Sequence, residues 1–255
     1  MASAPQAQNL PILYNNLIPL SSQDHAAWRM RGMNDLKFVK GVHAFPLTVD
    51  EFGVAQRGIP IVFSSGPDPV PLGLMGLNEG ANVFIDDEGQ LVPGGYLPAY
   101  IRRYPFMLAR LNPDAEEMTL CIDPTNELVG PWEDGEPLFE NGEATQSTKS
   151  ALEFCEQFEM AAQRTQAFCK DLLETGLLEE GEVTISAEGA AQPYIYRGFQ
   201  MVNEEKFRDL RGDQLRKMQQ NGMNMLIYAH LMSLGLMSEV FNRAVQLGKV
   251  PPQNP

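Results

Sequence analysis

Along residues 147–175 apolar or small side chains return at alternating steps of four and three: Ala151, Cys155, Phe158, Ala162, Thr165, Cys169 and Leu172, with Phe154, Ala161 and Phe168 beside them. That spacing winds one wide apolar stripe along one face and predicts a long helix over 147–175, with Gly176 as its stop. Further on, Asn203 caps a helix over 204–210 and Asp213 caps one from Gln214 onward, broken at Gly222 within 213–236 and followed by a last helix over 238–247.

The first half reads differently. Short apolar runs at 59–64, 72–77, 82–85 and 118–122 are bounded by Gly, Pro and Asp, with a turn at 86–89. A strand is expected at 38–43, a strand or turn at 25–29, an extended segment at 13–20, and a short helix at 47–56 with Thr48 and Glu51 as a capping box. Residues 183–187 and 194–202 read as a hairpin joined across Glu188, Gly189 and Ala190. Runs at this spacing make an antiparallel meander rather than alternating strands and helices. The fold class is therefore α+β: an antiparallel sheet packed against a long helix and a C-terminal helical segment, in a single domain over 1–255 with mobile tails.

One stretch stands out against this background. Residues 94–111, GGYLPAYIRRYPFMLARL, carry Arg102, Arg103 and Arg110, and no carboxylate occurs from Gln90 through Pro113. Pro98 suits the first turn of a helix and Pro105 ends it, so 99–104 reads as a short helical turn. The chain as a whole is acidic, with 33 Asp and Glu against 19 Lys and Arg and a net charge of -14. Such a balance excludes nucleic acid and plain adhesion to an anionic membrane as partners. Cys121, Cys155 and Cys169 form no CxxC pair, and His25, His43 and His230 fall in no metal-ligand spacing, so neither a metal nor a cofactor is expected. The uncharged run 218–238 is interrupted by Gln219, Gln220, Asn221, Asn224 and His230 and reads as a core helix rather than a membrane span. The N-terminus lacks a charged n-region, which makes a cytoplasmic location the expectation from sequence.

Several blocks in order resemble the SapC family of bacterial proteins: the run 59–63, then Gly76 and Leu77 before Asn82, Val83 and Phe84, YLPAYIRRYPF at 96–106, LCID at 120–123, LFENGE at 138–143, GFQMVNEEKF at 198–207 and LIYAHLMSL at 226–234. Together they span about residues 30 to 245. The resemblance implies association with a paracrystalline surface layer, and hence the cell envelope. Family members are also labelled peptide transporter permeases, which the lack of a credible spanning helix contradicts. Neighbourhoods shared with outer-membrane receptors and flavin-dependent halogenases imply uptake or modification of a complex nutrient. The family brings no established catalytic residues, and none are carried over.

Among candidate sites the arginine island ranks first. Adjacent arginines diverge by about 100 degrees on a helix, so Arg102 and Arg103 grip one anion together only if the backbone bends after them. With Tyr100 and Tyr104 they form the candidate ligand or partner surface, and His43 and His230 are the other polar candidates. Both histidines read more simply as buried, hydrogen-bonded residues. A set of Cys121, His43 and Asp123 lacks a nucleophile elbow or Gly-rich segment. The acidic loop 134–143 lacks calcium-loop spacing, and 73–80 lacks the Lys and Ser or Thr of a phosphate loop. The reading is a non-enzymatic accessory or binding protein that recognises an anionic ligand or a protein partner; the alternative is an enzyme or accessory subunit in a halogenase and outer-membrane-receptor uptake pathway.

Overall fold

The computed structural model describes residues 10–112, 117–186 and 192–250. The tip expected at Glu188, Gly189 and Ala190 and the segments before residue 10 and after residue 250 lie outside them. The chain divides into two compact units, one formed by Met1–Asn34 with Arg102–Glu159 and the other by Asp35–Ile101 with Met160–Pro255.

The larger unit holds a five-stranded antiparallel sheet in the order Leu178–Glu180, Phe199–Val202, Ile61–Ser64, Pro71–Leu74 and Ala44–Pro46. Its helices lie against this sheet. Phe168 of the long helix Gln146–Thr175 meets Phe63 at 6.3 Å and Phe52 at 6.1 Å between ring centroids. Met237, at the start of the last helix Met237–Gln246, joins Val62, Leu74 and Phe199 in one cluster. Buried positions on the long helix, Cys155, Ala161, Thr165, Phe168, Cys169 and Leu172, follow the stripe read from the spacing. The fold class is α+β as expected, and the helix Glu204–Arg208 is capped by Asn203, whose side chain accepts from the Lys206 N–H.

Four local expectations are corrected. No strand forms at 38–43; Lys37–Val39 is a 3-10 turn, and the Asn82 amide takes the carbonyls of Val39 and Val42 at 3.2 Å, which removes them from any ladder. Residues 82–85 are not a strand either, because the Asn82 side chain also accepts from the Phe84 N–H at 2.9 Å and bends the chain; one bridge, Ile85 to Leu91, remains. The segment 194–202 splits at Gly198, whose φ of +91° turns the backbone. Tyr194–Tyr196 then pairs with Val183–Ile185 as a separate ribbon, while Phe199–Val202 enters the main sheet. Arg211, not Asp213, stands at the N-cap of Gly212–Gln220, its N–H bonded to the Gln214 side chain at 3.3 Å.

The smaller unit contains two three-stranded antiparallel sheets. Thr119–Ile122 lies between Ile18–Pro19 and Phe106–Ala109, and Arg29–Met30 lies between Val129–Gly130 and Glu136–Pro137. The strand Phe106–Ala109, inside the arginine island, was not foreseen. Phe106, Leu108, Ile122, Val129, Leu138 and Cys155 form the core of this unit.

Candidate functional site

Short-range geometry sets the arginines. Ala99–Arg102 is one helical turn closed by the Ile101 N–H on the Pro98 carbonyl at 3.0 Å, and the Phe106 N–H returns to the Arg103 carbonyl at 2.8 Å before the strand begins. The Tyr104–Pro105 peptide bond is cis. Arg102 faces outward and is exposed, whereas Arg103 is buried. The helical turn ends at Arg102, and Arg103 lies in the bend that follows it.

Each guanidinium lies over rings. Arg103 sits 4.1 Å from the Phe158 centroid and 5.8 Å from that of Tyr14, and its Nη1 reaches Glu159 at 3.3 Å. Arg102 sits 5.4 Å from the Phe154 centroid. Tyr104 packs edge-on against Tyr14 at 5.2 Å, and burial first, with Asp123 second, pushes its hydroxyl up to about 12. Tyr14 in turn donates to the Phe106 carbonyl at 2.8 Å.

Arg102, Arg103 and Tyr104 line a pocket of about 460 Å³ in the smaller unit, together with Arg31, Met30, Met33, Phe106, Leu128 and Phe154. Gln146, Ser147 and Ser150, from the first turns of the long helix, line it too. Sequence reasoning missed Arg31 and the helix start. Arg31 is held by its backbone N–H on the Leu128 carbonyl at 2.8 Å; its guanidinium pairs with Asp134 at 2.6 Å and lies 4.4 Å from the Trp132 centroid. The Arg31 hydrogen bond holds the Asp134 carboxyl below the usual range. No local signal marks Arg31, because strand pairing across about a hundred residues brings it there.

Chemically the pocket joins two kinds of wall. Its apolar part is built from Met30, Met33, Phe106 and Phe154. Its polar part has arginines and the start of a 30-residue helix with no acidic residue in its first turn, where the helix dipole is positive. A guanidinium laid over a ring keeps its N–H edge in the ring-parallel plane, the edge with which arginine forks onto carboxylates and phosphates.

The other predicted residues belong to the larger unit. Tyr100 is 4% exposed and its ring is 6.3 Å from that of Phe45. His43 is half-buried, and its carbonyl accepts from the Met75 and Gly76 N–H groups at 2.7 and 3.0 Å. His230 is fully buried: Nδ1 donates to the Ile61 carbonyl at 2.8 Å and Nε2 accepts from the Val202 N–H at 3.0 Å. Burial lowers its pKa to about 4. The structure thus gathers three of the six predicted residues around the pocket and places three elsewhere.

Of the triad residues, Asp123 is engaged by the Asn15 N–H at 2.6 Å, the Thr125 N–H at 2.8 Å and the Thr125 hydroxyl at 2.6 Å. Burial raises the Cys121 thiol, and pushes Cys155 and Cys169 up to about 12, which keeps all three as unreactive thiols. The acidic stretch 134–143 folds into short strands at Glu136–Pro137 and Phe139–Glu140. Among the described residues no helix is long and apolar enough to cross a membrane.

A family model described as SapC matches residues 20–240. No curated protein and no solved structure matches the chain. The family match takes in the Arg29–Met30 strand, the arginine turn, the whole long helix and the start of the last one. Because that match covers most of the chain, the arginine turn included, the chain belongs to the SapC family.

Proposed function

We propose that this chain is a non-enzymatic binding protein whose smaller unit takes a small anion with an apolar body. The observation that carries the reading is the pocket itself, in which Arg31 and Arg102 stand beside Phe154, Met30 and Met33. A volume of about 460 Å³ falls in the range of small-molecule sites. Arg103 and Tyr104 line the same pocket as buried groups packed on rings, and Tyr100, His43 and His230 belong to the larger unit. The setting we propose is an accessory role at the cell envelope, in keeping with the surface-layer label that the resemblance implies.

Two fluorescent probes of similar shape test this: anilinonaphthalene sulfonate, an anion with apolar rings, and its neutral counterpart N-phenylnaphthylamine. Wild-type protein is expected to bind the anion, and Arg102→Ala to weaken it about tenfold, roughly 1.4 kcal/mol, with the neutral probe unchanged. Equal loss of both probes, or no anion binding by wild type, defeats the reading.

A further inference from the structure

Three guanidiniums, of Arg31, Arg102 and Arg103, line the pocket of the smaller unit, and no Asp or Glu is among its lining residues. Counted by lining alone, it would suit a doubly charged phosphate. The ion pairs made by the lining arginines change that count. Arg31 is paired with Asp134 at 2.6 Å and Arg103 with Glu159 at 3.3 Å, so two of the three positive charges are already balanced. Even with the whole charge of Arg102 counted toward a ligand, the pocket offers no more than one net positive charge. The start of the long helix adds little. The Ser147 hydroxyl donates to the Glu136 carboxylate, which brings a third acid to the site, and the Thr145 side chain already accepts from the Thr148 N–H at 3.4 Å. Asp123, second to burial among the causes that raise the Tyr104 hydroxyl, places further negative charge near that wall.

We propose, resting on the reading of this pocket as an anion site, that its ligand is a singly charged carboxylic acid with an apolar body and that phosphate monoesters are disfavoured. A second negative charge entering this partly apolar cavity loses its water with no cation left over to replace it. A carboxylate brings one charge spread over two coplanar oxygens, the arrangement onto which an arginine edge forks. The net charge of -14 on the whole chain adds a long-range repulsion that grows with the charge of the ligand. Apolar surface from Met30, Met33, Phe106 and Phe154 then takes the body of the acid.

Displacement of anilinonaphthalene sulfonate from the full chain by two competitors that share its naphthalene ring tests this: 1-naphthylacetate, a monoanion, and 1-naphthyl phosphate, a dianion at about pH 8. In wild type the carboxylate is expected to displace the probe at a concentration about tenfold below that of the phosphate. Asp134→Asn removes the acid paired with Arg31 and is expected to improve the phosphate relative to the carboxylate by about threefold or more. The Asp134 side chain is 69% exposed, so this variant is expected to fold, which far-UV circular dichroism checks. A phosphate that competes as well as the carboxylate in wild type overturns the proposal. So does a failure of both competitors, or an unchanged ratio in folded Asp134→Asn; should that variant not fold, the wild-type ratio decides. The anion-site reading fails separately and earlier, when wild type does not bind the probe or Arg102→Ala weakens charged and neutral probes alike, whereas the carboxylate assignment fails with probe binding intact.

Discussion

Glu51 in the larger unit and Arg103 in the smaller are both buried charged residues, and their surroundings differ in kind. The Glu51 carboxylate accepts from the Thr48 N–H and hydroxyl at 2.8 and 2.9 Å, from the Tyr96 hydroxyl at 3.0 Å and from the Ala99 N–H at 2.7 Å. It ties the capping turn at Thr48 to the start of the arginine island. Arg103 instead lies against the Phe158 and Tyr14 rings and reaches Glu159, whose side chain is 27% exposed. The difference teaches how to sort polar residues by role. In the larger unit, Glu51 and His230 are spent on backbone groups and hydroxyls and hold the fold. In the smaller unit the arginines lie over rings around a pocket, where charge meets apolar surface.

Breaking the Glu51 anchor has the largest expected effect. Glu51→Ala leaves several buried donors without an acceptor and lowers unfolding free energy by about 4 kcal/mol, read by urea denaturation. A loss below about 1 kcal/mol would show that the carboxylate is not an anchor.

His230 comes next, through pH. Its imidazole, lowered from 6.5 to about 4, takes up a proton in the unfolded chain before it does so in the folded one. Its neutral, hydrogen-bonded state therefore stabilises the fold fully above pH 6.5, progressively less between 6.5 and about 4, and no less below that. The span corresponds to about 3 kcal/mol. In His230→Gln the stability advantage of wild type should shrink by that amount across the window; a constant difference would remove the titration argument.

Arg103→Met keeps apolar contact with Phe158 but loses the bond to Glu159, which can rehydrate, so the expected cost is about 1.5 kcal/mol by the same denaturation assay. The smallest stability change, below about 0.5 kcal/mol, is expected of exposed Arg102→Ala, the variant that should most affect anion binding. If Arg102→Ala destabilises as much as Arg103→Met, the two arginines share one structural role and the contrast between fold-holding and pocket-lining groups fails.

Much of the fold is legible without coordinates. The long helix and its buried face follow from 3.6-residue periodicity, and Asn203, Gly176 and Gly222 mark ends that local chemistry dictates. The errors fall where a side chain competes with the backbone ladder, as Asn82 does for Val39 and Val42, or where one glycine splits a run, as Gly198 does. The short strand Phe106–Ala109 carries no clear local signal, because what makes it a strand is its pairing with Thr119–Ile122.

The candidate site was half legible. Arg102, Arg103 and Tyr104 announce themselves as a cationic, aromatic cluster in an acidic chain. That Arg103 is buried against rings, that Arg31 and the start of the long helix join Arg102 around one pocket, and that Tyr100, His43 and His230 belong to the other unit were decided by tertiary structure alone. Periodicity and capping act over a few residues and are written in local order. A pocket wall is assembled from segments a hundred residues apart, and pairing across that distance depends on which faces the whole core can bury.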